Sequence, residues 1–132
     1  MLNKMTLGAA FLLFALPASA WDSAPPRDDF DYTPACSPPA APAPVDATTQ
    51  AQLDAAHDAV DAFMAASDSY QRCLGRALGA RQDIAFFAKT NVPVVVTKQI
   101  DRKARDNQHQ KEQAGRDYNA AVAAYQAKNG KP

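Results

Sequence analysis

Apolar and small side chains recur at alternating steps of three and four along one stretch of the chain: Leu53, Ala56, Val60, Phe63, Ser67, Tyr70, Leu74 and Ala77. All but Ser67 are apolar or aromatic, so this stretch predicts a helix with a seam for a second helix. No proline interrupts Thr49 to Leu78. Thr49 and Gln52 have capping-box spacing, in which hydroxyl and amide satisfy first-turn N–H groups. Gly79 suits a helix-ending position with positive φ, which places helix 1 at about residues 49–78. Beside the seam runs a stripe of small residues, Ala55, Ala59, Ala62, Ala66 and Ser69, ending at Cys73.

The pattern breaks over residues 79–94, where Ile84, Phe86, Phe87 and a valine cluster around Pro93 form a dense apolar run. Pro93 marks a turn, or the first turn of the next helix with Asn91 as its cap. Val92–Val96 also has strand composition but lacks a partner strand. A second helix is predicted over about residues 95–128. Its three-four repeat reads Ile100, Ala104, Asn107, Lys111, Ala114, Tyr118, Ala121 and Tyr125. Residues 102–113 hold one apolar side chain, Ala104, so there the helix is solvated, bent, or held by polar contacts. Folding the chain about residue 86 sets Tyr118–Tyr125 against the start of helix 1. The expected fold is all-α: a long antiparallel helical hairpin spanning residues 47–128. Two helices leave apolar surface uncovered, which also allows a homodimer in a four-helix arrangement.

Ahead of the hairpin, residues 22–46 carry seven prolines and read as an extended arm, with polyproline II conformation from Pro38 to Pro44. The chain has two cysteines, Cys36 in the arm and Cys73 on helix 1. From Cys36 to Thr49 the arm reaches about 40 Å at ~3.1 Å per residue. The helix from Thr49 to Cys73 is about 36 Å long at ~1.5 Å per residue. The arm can therefore double back along helix 1, with the alanine stripe as its bed, and be stapled by a disulfide. A helix beginning at Asp46 would outrun its arm, so the bond favours a start at or after Ala47. Closing the loop is worth about 4 kcal/mol on the chain-entropy model. A bond between two chains, or a reactive thiol, is the alternative use of these cysteines.

Residues 1–20 have the plan of a signal peptide: Lys4, an apolar run from Leu7 to Leu16, and Ala18-Ser19-Ala20 before a mature start at Trp21. That run is too short to span a bilayer, and no later segment is long enough. A periplasmic or secreted location is expected, where disulfides persist. The full chain has a formal net charge of zero, which argues against nucleic acid as a partner. Charge is nonetheless sided. Residues 22–68 hold nine Asp and one Arg, whereas residues 69–132 hold twelve Lys or Arg against five acidic residues. An antiparallel hairpin lays the acidic first half of helix 1 beside the basic second half of helix 2.

The chain carries no HExxH, GxSxG, Walker or CxxC motif, so no enzyme is indicated and no cofactor is expected. His57 and Asp61, four apart, are the start of a metal site at most, and the hairpin register keeps His57 away from His109. Met64 and His109 fall opposite one another. A Met/His pair can hold haem in a dimeric bundle, so a small-ligand, metal or haem carrier is the alternative function. Gly75 and Gly79 have small-xxx-small spacing, which signals close packing or helix ending. The richest feature is the hairpin tip. Ile84, Phe86, Phe87, Val94 and Val95 stand among Arg81, Lys89, Lys98 and further basic residues. Apolar side chains ringed by positive charge suit an anionic lipid surface or an acidic envelope protein, although the same side chains could fold back to cap the hairpin.

Cys36-Ser37-Pro38-Pro39, followed by Tyr70-Gln71-Arg72-Cys73, resembles small exported proteobacterial helical-hairpin proteins with a Cys-x-Pro-Pro … Tyr-x-x-Cys pattern. The likeness covers residues 36–78. It implies compartment and architecture and transfers no activity. The functional expectation is a non-enzymatic envelope protein that acts through its tip.

Overall fold

A computed structural model describes residues 27–130. The expected signal peptide, the mature start at Trp21, and Pro25 and Pro26 lie outside the described residues. Two long helices follow in chain order, α1 (Gln50–Phe87) and α2 (Val94–Asn129), and they pack as an antiparallel hairpin. Thr49 caps α1 through the expected box. Its hydroxyl accepts from the Gln52 backbone N–H, while the Gln52 side chain accepts from the N–H of Thr49.

All eight seam positions of α1 are buried or half-buried, and so are all eight of α2. They form two apolar clusters. Near the tip, Tyr70, Leu74, Val96, Ile100 and Cys36 pack together, flanked by Val92, Val95 and Ala104. At the base, Leu53, Ala121 and Ala47 pack with Tyr118, Val122 and Tyr125. Between them lies a buried polar pair, in which Asn107 Nδ2 donates to Ser67 Oγ at 3.1 Å. Beside it the Lys111 ammonium reaches Asp68 at 2.6 Å. The polar stretch of α2 is thus held by polar contacts. Lys111 and Arg72 keep the Asp68 carboxyl below its ordinary range, the Lys111 hydrogen bond foremost.

The arm is stapled as the spacing predicts. Cys36 and Cys73 form a disulfide with Cα atoms 5.7 Å apart. The strap from Cys36 to Thr49 runs beside about 23 residues of α1, so it advances about 2.7 Å per residue, a little short of the ~3.1 Å of polyproline II. The whole arm, from Phe30 on, is also tied to α2. Lys103 pairs with Asp31 at 2.6 Å, and Lys128 pairs with Asp46 at 3.3 Å. Gln99 accepts from the Tyr32 N–H and donates to the Phe30 carbonyl.

Three expectations change. Helix 1 does not stop at Leu78; it continues through Gly79 to Phe87, so the tip is shorter than residues 79–94. Neither Gly75 nor Gly79 has positive φ, and a Cβ at either would meet no atom within 4 Å. These glycines therefore neither end the helix nor serve close packing; each only costs about 1 kcal/mol of helix propensity. Next, α2 begins at Val94 with Pro93 in the N-cap position and no side-chain cap, so Asn91 does not cap it. Last, the alanine stripe is not a bed. Ala55, Ala59, Ala62, Ala66 and Ser69 all stay exposed; Ala55 and Ala59 border a groove between the helices and Pro42–Val45, so the strap does not pack down on them.

Candidate functional site at the hairpin tip

α1 ends in a Schellman arrangement. The Thr90 N–H donates to the Ala85 carbonyl, and the Lys89 N–H donates to the Phe86 carbonyl. This geometry demands a left-handed residue after the helix, and Lys89 supplies it with φ 54°. A lysine in that conformation costs about 1–2 kcal/mol relative to glycine. Such strain is concentrated at functional sites. Here it fixes an ammonium-bearing side chain at the apex.

Around it the tip is apolar and open. Ile84, Phe86, Phe87 and Val94 are 69, 78, 82 and 65% exposed. Ile84 and Phe87 are three apart and share a helix face, and the Phe86 ring meets Phe87 edge-on at 5.6 Å. These side chains do not fold back. Ala85 is the buried residue of this turn, and the seam beneath is already filled by Val92, Val95 and Val96. A groove of about 300 Å³ adjoins the patch, with Tyr32, Ile84, Asn91 and Pro93 among its walls.

Two of the predicted tip residues act otherwise. Val95 is half-buried and packs on the upper core, because the start of α2 turns it toward Leu74 and Ile100. The Arg81 guanidinium holds the strap. It donates to the carbonyls of Tyr32 and Ala77 and lies 5.9 Å from the Tyr32 ring centroid. Lys89 and Lys98 are exposed, as are Arg76, Arg102 and Arg105. The strap brings Asp28, Asp29 and Asp31 to this third of the molecule. Even so, with Arg27 and residues 72–105 included, nine cations face five carboxylates. Asp31 is held below the ordinary carboxylate range by the Lys103 hydrogen bond first and by the Thr33 backbone N–H next. Burial pushes the Tyr70 phenol up.

The anchoring of Tyr32 by Arg81 and Gln99 was not legible in the linear pattern. The Asp31-x-Thr33 spacing was the available signal, since Asp31 Oδ1 accepts from the Thr33 N–H in a local turn.

The candidate ligating residues are dispersed. His57 Nε2 lies 3.6 Å from Asp61 and its ring 5.5 Å from Tyr118. His109 is nine residues from Tyr118 on α2, about 13 Å along the axis. It stands exposed beside Glu112 and Arg116, while Met64 is half-buried. Among the described residues no three His, Cys, Asp or Glu side chains are grouped to hold a metal. No described helix is long and apolar enough to cross a membrane. Comparison with family models, with curated proteins and with solved structures yields no match to this chain.

Proposed function

We propose that this chain is a non-enzymatic protein of the bacterial envelope that docks through its hairpin tip onto an envelope protein or an anionic lipid surface. The observation that carries the reading is the exposure of Ile84, Phe86, Phe87 and Val94 within a basic collar. A contiguous apolar patch on a small chain is costly to keep in water, and its retention is explained by a surface that covers it. Positive charge around the patch selects a negatively charged surface and repels a second copy arriving tip to tip. The disulfide fits an oxidising compartment, as export through the signal peptide requires.

The test is co-sedimentation with vesicles rich in phosphatidylglycerol, against vesicles of phosphatidylcholine alone, together with crosslinking in a periplasmic extract. Phe86→Asp and Phe87→Asp should leave the helical circular dichroism spectrum intact and abolish association. Association undiminished by both substitutions would remove the tip from the function.

A further inference from the structure

The strap does not lie flush on the hairpin. Between Pro42 and Val45 it stands off the helices and roofs a groove of about 450 Å³, within the range of small-molecule sites. The floor is built from Ala56, Ala59, Ala114 and Ala121, with Tyr118 and Asp117 along the α2 side.

Three features keep this groove open. The strap is anchored at both ends, at Cys36 by the disulfide and at Ala47, which is buried in the base cluster. Pro42 and Pro44 have locked φ angles, which stiffen it between those anchors. Five of the helix residues lining it are alanines and one is Val60, so small side chains leave the space largely unfilled. Water in such a groove finds few hydrogen-bond partners, and an apolar body that displaces it gains free energy.

Charge chooses among apolar ligands. No Lys or Arg occurs between Arg27 and Arg72, so the strap and the first half of α1 contribute only carboxylates, among them Asp54 and Asp58. On α2, Lys111 and Lys128 are engaged by Asp68 and Asp46. The polar groups lining the groove are Gln52, Asp117 and Tyr118. The Gln52 side-chain oxygen is already taken up by the N–H groups of Thr48 and Thr49 in the helix cap. The Asp117 carboxylate accepts from Gln113 at 2.7 Å and retains further acceptor capacity. The Tyr118 ring, met on one side by the His57 ring at 5.5 Å, also lines the groove, where its π-system and hydroxyl favour a cation.

We propose that the groove beneath the strap binds a small amphiphilic cation. Its apolar body sits on the alanine floor, and its ammonium lies at Asp117 beside the Tyr118 ring. This site is separate from the tip and does not depend on it.

The experiment uses the oxidised full chain and three probes of one shape: phenylbutylamine, phenylbutanol and phenylbutyrate. Titrations are followed by NMR shifts of alanine methyls and the Tyr118 ring. The amine should shift Ala59, Ala121 and Tyr118. It should bind about fivefold more tightly than the alcohol, the worth of an exposed ion pair, and the butyrate should bind most weakly. Asp117→Asn should reduce the amine to the affinity of the alcohol. Ala59→Leu should fill the groove and abolish binding, and Phe86→Asp should leave it unchanged. Alcohol or butyrate binding as tightly as the amine would overturn the choice of a cation. Absence of shifts beneath the strap in the unmodified protein would overturn the site, whether or not Ala59→Leu folds.

Discussion

Opening the staple by replacing both Cys36 and Cys73 with serine should cost the fold most of its margin. The bond joins residues 37 apart in sequence, so the chain-entropy relation assigns it about 4 kcal/mol at 25 °C. The native packing gives no reason for a smaller value. Cys36 is itself buried in the upper cluster, and the strap segment it anchors covers Leu74, which is 1% exposed. For a chain of about 100 ordered residues, each kcal/mol moves Tm by about 4–8 °C, so the midpoint should fall by about 15–30 °C. Circular dichroism melts of the serine variant and of wild type with and without reductant would measure it, and the two reduced forms should agree. Tyr32 and Thr33 amides should lose exchange protection in both. A fall of less than about 5 °C would refute the reasoning and show that the hairpin seam alone sustains the fold.

Three further outcomes follow from the same geometry. Ser67 and Asn107 are 0 and 2% exposed, and Asn107 Oδ1 has no partner. The pair Ser67→Ala with Asn107→Leu should therefore raise the unfolding free energy measured by urea titration by about 1 kcal/mol, because a stranded buried acceptor costs about 1–3 kcal/mol; a lowered value would show that the polar pair is a net gain. Lys89→Gly should stabilise by about 1 kcal/mol through relief of the left-handed lysine, and should weaken association with anionic vesicles; a loss of stability would contradict the strain. Asp31 has a depressed carboxyl pKa, so its contribution is present above the ordinary carboxylate range and is lost as pH falls through the lower folded value. Below pH about 4, exchange protection at Tyr32 should fall in wild type, and Asp31→Asn should show that loss already at neutral pH.

The seam, the capping box and the staple were legible because each rests on a repeat or a length that local sequence carries. Leu53 to Ala77 occupy the buried face in the order the periodicity assigns, and the observed pairing of Leu53 with Ala121 and Ser67 with Asn107 is centred on residue 87, one residue from the expected fold point at 86. The end of α1 was not legible. Gly79 has the composition of a terminator, yet the following turns, with Ala85 buried and Arg81 bonded to the strap, outweigh about 1 kcal/mol of glycine cost. The actual terminator is a lysine, a residue that no propensity places in left-handed backbone. For the tip, residue types marked the right place but could not separate Phe87, which faces water, from Val95, which packs inward. That division depends on where α2 starts, a tertiary fact. The path of the strap was legible in length but not in azimuth, since Asp31, Asp46 and Gln99 decide which side of α1 it crosses.

The staple also makes the chain from Cys36 to Cys73 a closed ring. A protease that nicks any one bond inside it, whether in the proline segment or along the exposed alanine face, yields two fragments that remain covalently joined. The N-terminal fragment keeps Tyr32 and Asp31 at their sites on α2, and the apex keeps its support. Shedding the N-terminal fragment takes a second chemical event, reduction of the disulfide.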